Sequence, residues 1–398
     1  MHGGTPKKPI FWNEHRQNFV FCSRNHAAAF FFSPASQFDG GKKVYYTKTM
    51  KTLYLIADGA QDAATEVPTS FSLARTPHYD ALARIGEQFE FCTVPDGMEV
   101  NSDVAFLQIL GMDPKKYYTG RAPLEAAGCG IPLRQDEFAL RLNFVFTQND
   151  VLQDFGVVFS EAEKAEIFAE LNKTLPASWR LFPEHGYRNL LLVPNTISLP
   201  QLPAPQNYSG KIVSDCFPQH PLTDWMRCAN RVLKNAPVNL RRKQRGLPQG
   251  NGVWLWGGGS LPNLPNFYER TQKTGAVVTA VDVVKGIARL CGMDVFTDAS
   301  FTGDLNTNFT KKAEFALQAL SSHDVVLLHV EAPDECSHRL DRAGKIAAIE
   351  KIDTMLGDLW QGVPPDTEIF ILADHRTDVE SGKHERGPVT VLKCVKHP

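Results

Sequence analysis

Asp334 and His338 stand four residues apart, a spacing that on one helical turn projects both side chains from the same face and lets them hold one cation together. His384, in the polar run Gly-Lys-His-Glu-Arg-Gly, can add a third ligand. Asp58 and the adjacent pair Asp374 and His375 offer a second set of donors, and two divalent ions bridged by a transferring phosphoryl group become feasible. Mixed imidazole and carboxylate donors suit zinc, manganese or iron, whereas carboxylates alone would suit magnesium. Ser102 lies between Asn101 and Asp103, just before an apolar segment at 104–110. Its hydroxyl therefore belongs at or near a helix N-terminus, where free N–H groups and the helix dipole favour a phosphate. Beside a cation that hydroxyl would lose its proton easily and become a nucleophile. Each group also has a plainer reading: an acid beyond a buried strand is ordinarily an N-cap, and so is a lone Ser102. Their concurrence points to metal-dependent phosphoryl transfer.

The elements that must position these groups are three apolar runs, 53–57, 325–330 and 369–373, each ending at or leading into one of the acids. Buried parallel strands read as continuous apolar stretches, and in open α/β sheets the chemistry collects beyond their carboxyl ends. Thr76, Pro77 and Gly86 mark the cap, first position and stop of a helix after the first strand. The fold class predicted is α/β, with a mainly parallel sheet covered by helices on both faces. From about 118 to 250 the pattern changes, with strands near 141–146 and 189–193, a capping box at Ser160 to Glu163 opening a helix to 171, and proline-rich loops at 199–205 and 217–221. This middle third reads as a separate α+β domain. The core pattern resumes with 252–256, 276–280 and a helix around 283–290, while Ile346, Ile349, Ile352, Met355 and Leu359 form a helical stripe suited to covering the sheet. Gly257 to Ser260 lacks the spacing and lysine of a phosphate loop and is expected to be a flexible connection between domains.

With 398 residues the chain exceeds one typical core, and a net charge of −2 leaves no electrostatic footprint for nucleic acid. Small molecules are the expected partners. The basic cluster Arg241, Arg242, Lys243 and Arg245 reads either as a solvated loop or as a grip for a phosphorylated or carboxylated ligand. Eight cysteines lie far apart without a CxxC pair, so reduced thiols in a cytosol are expected. No apolar stretch reaches the roughly 18 residues of a membrane span, and a cytoplasmic enzyme without membrane partner is predicted. Residues 1–49 lack periodicity, whereas Met50 opens directly into the first strand. Met50 is thus the expected natural initiator, and 1–49 a disordered upstream extension without folded role, or else a disordered regulatory or targeting tail.

In order along the chain, Asp58-Gly59, Thr76-Pro77, Asn101-Ser102-Asp103, the segment 109–114, Tyr117 to Arg121, 251–257, 280–295, 306–313, Glu331 to His338, Asp374-His375 and His384 resemble the archaeal-type, cofactor-independent phosphoglycerate mutases of the alkaline phosphatase superfamily. The resemblance spans 50–388. It implies a discontinuous metal-binding core at 50–118 and 251–398, with an inserted α+β domain at 119–250 that closes over substrate. It also implies that Asp334, His338 and His384 bind one metal while Asp58, Ser102, Asp374 and His375 bind the other. Manganese is the ion expected, with zinc, magnesium, cobalt or iron as alternatives, and 2,3-bisphosphoglycerate is not required. In the implied reaction 3-phosphoglycerate passes its phosphoryl group to Ser102 and glycerate takes it back on its 2-hydroxyl. Arg121 and Lys285 would neutralise charge, and Arg121, Arg141, Arg188 and Arg242 would grip phosphate or carboxylate. The chain departs from the family pattern at Asn101, Phe106, 155–158, Ala236 and 376–378. Two other readings therefore stand beside the mutase: a phosphatase or phosphotransferase resembling the homoserine kinase branch, and a noncatalytic binding protein.

Overall fold

The computed structural model describes residues 50–62, 68–184 and 186–398, with side chains except that of 215, and the backbone of three short strands before them. In chain order the strands are β1 (Val20–Phe21), β2 (Ser36–Asp39), β3 (Lys42–Tyr45), β4 (Lys51–Ala57), β5 (Glu87–Phe91), β6 (Glu137–Gln148), β7 (Val151–Asp154), β8 (Arg180–Pro183), β9 (Arg188–Pro194), β10 (Gly252–Ser260), β11 (Gly275–Val278), β12 (Asp294–Phe296), β13 (Val325–Val330), β14 (Thr367–Leu372), β15 (Arg376–Asp378), β16 (Lys383–Glu385) and β17 (Val389–Lys396). The helices that matter for the site are α1 (Pro77–Ile85), α2 (Ser102–Ile109), α3 (Arg121–Cys129), α4 (Glu161–Asn172), α5 (Pro221–Asn235), α6 (Pro237–Gln244), α7 (Asp282–Leu290), α8 (Phe309–Ser322), α9 (Ala332–His338) and α10 (Arg342–Gly362).

Eight strands form the main sheet in the order β1-β5-β17-β14-β4-β13-β11-β12. From β14 to β12 all pairings are parallel; β17 runs antiparallel to β14 and β5. Alternate residues divide between two cores, as the two-residue period of a strand requires. Leu53, Leu55, Val326, Leu328, Ile369 and Ile371 face α1, α8 and α10. Tyr54, Ile56, Val325, Leu327, Phe370 and Leu372 face α2 and α7. The predicted stripe on α10 covers the sheet, with Ile349, Ile352, Met355 and Leu359 buried. Because β14, β4 and β13 are adjacent, their carboxyl ends open side by side, about 4.8 Å apart, and deliver the three acid-bearing turns to one edge.

The second sheet is antiparallel, in the order β10-β6-β9-β8, with β7 on β6. Helices α4 and α5 cover one face. The capping box at the start of α4 forms as predicted: the Ser160 hydroxyl accepts from Glu163 N–H and the Glu163 carboxylate accepts from Ser160 N–H. Two expectations are corrected here. Residues 252–256, read as the resumption of the core, pair with β6 in this smaller sheet, and the main sheet resumes only at β11. The glycine run 257–259 is an ordered strand segment with a register irregularity, not a flexible connection. It lies so close to the opposite connection that a Cβ on Gly259 would collide with the Thr119 carbonyl, a backbone approach that only glycine permits. Helix α3 packs on both units: Ala122 and Ala126 lie against Ala139, Leu190 and Leu192, while Leu124 joins the core shared with α7.

Most of the stretch 1–49 lies outside the described residues, including the question of Met50 as initiator. Within it β1 pairs parallel with β5 at the sheet edge. Cys92, just beyond β5, is disulfide-bonded, whereas Cys129, Cys216, Cys228, Cys291, Cys336 and Cys394 are free. The expectation of reduced thiols therefore fails at Cys92. No described helix is long and apolar enough to cross a membrane.

Candidate metal centre

Asp334 and His338 lie on α9, which begins immediately after β13, with Asp334 Oδ2 3.0 Å from His338 Nε2. His384 arrives from the hairpin β15-β16, where it sits opposite Thr377. Its Nε2 is 3.1 Å from His338 Nε2 and 3.6 Å from Asp334 Oδ1. The other ring nitrogens are both committed: His338 Nδ1 donates to the Gly382 carbonyl at 2.8 Å and His384 Nδ1 to the Val100 carbonyl at 2.6 Å. A carbonyl oxygen only accepts, so in the neutral rings each Nε2 carries a lone pair, and both converge on a carboxylate. Such a triplet needs a cation or protons between its members. Without a metal, protons take that place: burial pulls His338 down, but Asp334 outweighs it and raises the imidazole to about 9. Burial likewise pushes Asp334 up, yet bonds from His338 and His384 hold it well below the usual carboxylate range.

A second cluster lies beside the first. Asp58 follows β4 and Asp374-His375 follows β14; His375 Nε2 is 3.4 Å from Asp58 Oδ1 and 3.5 Å from Asp374 Oδ2. Those two carboxylate oxygens are buried without a hydrogen-bond partner. Asp374 Oδ1, by contrast, accepts from the N–H groups of Gly59 and His375. Burial, followed by repulsion from Asp374 and Asp334, pushes Asp58 well above its ordinary value. Orphaned carboxylate oxygens crowded around an imidazole are what a divalent cation would satisfy. Ser102 opens α2, its Oγ 3.3 Å from His375 Nε2 and 3.5 Å from Asp58 Oδ2. The clusters are tied together by Thr377 Oγ1, which donates to Asp334 Oδ1 at 2.6 Å and lies 3.2 Å from His375 Nδ1. Gly59, at φ +59°, lets the β4 turn approach closely enough that a Cβ would come within 2.6 Å of Asp334 Oδ1.

The Metalloenzyme superfamily matches residues 50–397. A 2,3-bisphosphoglycerate-independent phosphoglycerate mutase of Methanothrix thermoacetophila is 41% identical over 353 residues, covering 85% of this chain and 89% of the relative. The chain belongs to this mutase family of metalloenzymes. A probable mutase of the same kind from Geobacter sulfurreducens is 36% identical over 356 residues, 85% of this chain and 89% of that protein. Among solved structures, the PH0037 protein of Pyrococcus horikoshii superposes with a TM-score of 0.73 at 30% identity, covering 87% of this chain and 88% of that one. The cofactor-independent phosphoglycerate mutase of Thermoplasma acidophilum shares the fold, with a TM-score of 0.51 at 24% identity, over 87% and 90% of the two chains.

In this mutase-family chain the predicted arginines separate into two groups. Arg121, Arg141 and Arg188 gather around Glu125, which burial pushes up and the three guanidiniums pull down further. Arg121 Nε donates to Glu125 at 2.9 Å and its Nη1 is 3.7 Å from Asp103, next to Ser102. Arg141 Nε is 2.9 Å from Glu125 Oε2, placed for an ion pair and not for a hydrogen bond, and its guanidinium stacks 4.3 Å over Trp256. Arg188 reaches Glu335, next to Asp334, at 3.9 Å. Burial and the neighbouring cations lower Arg141 to about 10 although Glu125 opposes them, a crowding of positive charge that an anion would relieve. Arg242 lies apart from this group. On α6 it donates to the Pro248 carbonyl at 2.7 Å, to Glu163 at 2.8 Å and to the Val158 carbonyl at 3.1 Å, so its fork braces α4 against α6. The basic cluster is helical through Gln244 and not a loop, and Arg241 pairs with Glu166. Lys285 Nζ donates to Asp282 within α7 at 3.0 Å. His329 was missed: its Nε2 lies 3.2 Å from Asp58 Oδ2. The available signal was a histidine inside an otherwise Val-Leu strand.

Proposed function

We propose that this chain interconverts 3-phosphoglycerate and 2-phosphoglycerate through a phosphoserine on Ser102, at a site holding two divalent ions. One ion would be held by Asp334, His338 and His384, the other by Asp58, Ser102, Asp374 and His375; manganese is the ion assigned, with zinc, magnesium, cobalt or iron as alternatives. When bound, these ions supply charge neutralisation and a lowered pKa for a hydroxyl beside them. The observation that carries the reading is the position of Ser102 Oγ, within 3.5 Å of both Asp58 and His375 and at the start of a helix whose free N–H groups receive phosphoryl oxygens.

Ser102 Oγ forms a bond to phosphorus as the bond to the substrate's 3-oxygen breaks, and that oxygen takes up a proton. In the second half the glycerate 2-hydroxyl loses its proton and attacks the same phosphorus, and the Ser102 oxygen leaves and takes up a proton, which restores its hydroxyl. Arg121, Arg141 and Arg188 would grip the phosphate and carboxylate between Asp103 and Glu335, since a planar guanidinium matches both anions. Lys285 is proposed for charge neutralisation alongside Arg121. The unit built on the smaller sheet, through β10, would act as the lid that keeps water from the phosphoserine and holds glycerate while it turns.

Manganese-loaded protein with 3-phosphoglycerate, coupled to detection of the 2-isomer, tests the reaction. Steady isomer formation is expected; release of inorganic phosphate instead would make the protein a phosphatase, and inertness a binding protein. Ser102→Ala is expected to lower turnover by at least about 10³-fold while the ion assigned to Asp334, His338 and His384 is retained. Retained turnover would remove Ser102 from the nucleophile's role.

A further inference from the structure

One buried polar row has no part in the reaction as described. His329 is wholly buried on β13, its Nε2 3.2 Å from Asp58 Oδ2. Its Nδ1 faces Glu331 Oε1 and Thr279 Oγ1, each at 3.2 Å. Glu331 accepts from the Ala280 N–H at 3.2 Å and from Lys312 Nζ at 2.9 Å. Lys312, on α8 and without solvent exposure, also donates to the His329 carbonyl at 2.9 Å. The Phe106 ring stands edge-on to the imidazole, with centroids 4.8 Å apart. Lys312, Glu331, His329 and Asp58 thus run in a continuous line from a covering helix to the edge of the metal centre. Burying such charges seldom stabilises a fold beyond what apolar residues would achieve, so the row calls for a role in what it holds.

Asp58 shows what that is. Its Oδ2 touches His329 and Ser102, whereas Oδ1 is buried without a hydrogen bond and faces His375. We propose that His329 is a positioning residue for the second cation. It donates from Nε2 to Asp58 Oδ2 and so fixes the carboxylate plane, aiming Oδ1 at the ion together with Asp374 Oδ2 and His375 Nε2. With the Thr279 hydroxyl donating to Nδ1, the neutral ring carries its hydrogen on Nε2, directed at Asp58; with that hydroxyl donating to Glu331, Nε2 keeps a hydrogen only in the doubly protonated ring. Glu331 and Lys312 hold the ring in place, as outer partners of metal ligands generally do. This rests on the two-cation reading and deepens it.

The test compares parent protein, His329→Gln and His329→Asn, each stripped with a chelator and titrated with Mn²⁺ by calorimetry. The Gln amide can place an N–H where Nε2 stands; the shorter Asn amide cannot reach Asp58. Parent and His329→Gln are expected to bind two ions with affinities within about threefold, and His329→Asn to bind one ion normally and the other about 10- to 100-fold more weakly. Lys312→Met, which frees Glu331 and the ring, should weaken the same site and leave the other unchanged. Parent-like binding by His329→Asn would overturn the proposal. So would loss of one site in both histidine variants, which would make His329 a direct ligand. A parent protein that binds fewer than two ions would instead overturn the two-cation reading itself.

Discussion

His338 and His384 differ from surface histidines in what stands behind them. Each gives its Nδ1 hydrogen to a backbone carbonyl, which directs the remaining nitrogen to Asp334 and suits the pair to a ligand's role by tautomer as well as by position. A pH dependence follows for the chelated protein. The folded value of His338, about 9, lies above the ordinary 6.5 or so. Its contribution to stability is therefore fully present below about pH 6.5 and lost as pH rises through about 9. Metal must displace the same proton, so Mn²⁺ affinity should climb across that window. Thermal melts of chelated protein from pH 6 to 10, with Mn²⁺ titrations at either end, check both directions. At this scale the sequence was informative wherever chemistry and spacing coincided: Asp334 and His338 share a helical face, and Asp58 and Asp374 close apolar runs. It was uninformative for Arg242, because a guanidinium that caps carbonyls and one that grips phosphate are the same residue. His329 escaped notice because only the neighbouring strand's turn shows where its imidazole points.

Elements bring these side chains together through adjacency in the sheet. The turns after β4, β13 and β14 begin at Asp58, Glu331 and Ala373, yet β14-β4-β13 order makes them neighbours. The β4 turn succeeds only because Gly59 adopts φ +59° and presents no Cβ to Asp334 and Thr377. Gly59→Ala should cost about 1–3 kcal/mol of stability from backbone strain and overpacking and weaken Mn²⁺ retention. Denaturant melts and metal analysis after dialysis give the two readouts; an unchanged variant would show that the turn relaxes. The runs forming these strands could be read from composition, since burial on both faces demands apolar residues throughout. Strand order could not, because hydrogen-bond partners between strands leave no mark on either sequence. For the same reason 252–256 was assigned to the wrong sheet.

For the whole molecule, two connections join the units, and they pass each other at Thr119-Gly120 and Gly258-Gly259 with backbone against backbone. Gly259→Ala would force them apart. We expect kcat/KM for 3-phosphoglycerate to fall about tenfold, since closing geometry shifts both constants, with the melting temperature measured alongside to separate this from a folding defect. A parent-like kcat/KM would exclude the crossing from closure. Removing metal should act on the entire fold: ions that bind only the native state stabilise it by about 2.7 kcal/mol at a hundredfold excess over Kd. Chelation should therefore lower Tm and abolish turnover, and Mn²⁺ should restore both.

The sequence alone determined the chemistry and the class of fold: acids and imidazoles at the ends of apolar runs, a serine at a helix start, and helices to cover a parallel sheet. Periodicity, capping and ligand spacing act within a few residues, and so they can be read along the chain. Tertiary structure alone decided strand order, the membership of β10 in the smaller sheet, the convergence of Arg121, Arg141 and Arg188 on Glu125, and the row from Lys312 to Asp58. Those depend on contacts between residues far apart in sequence, where the partner and the direction of each side chain are set only when the sheets assemble.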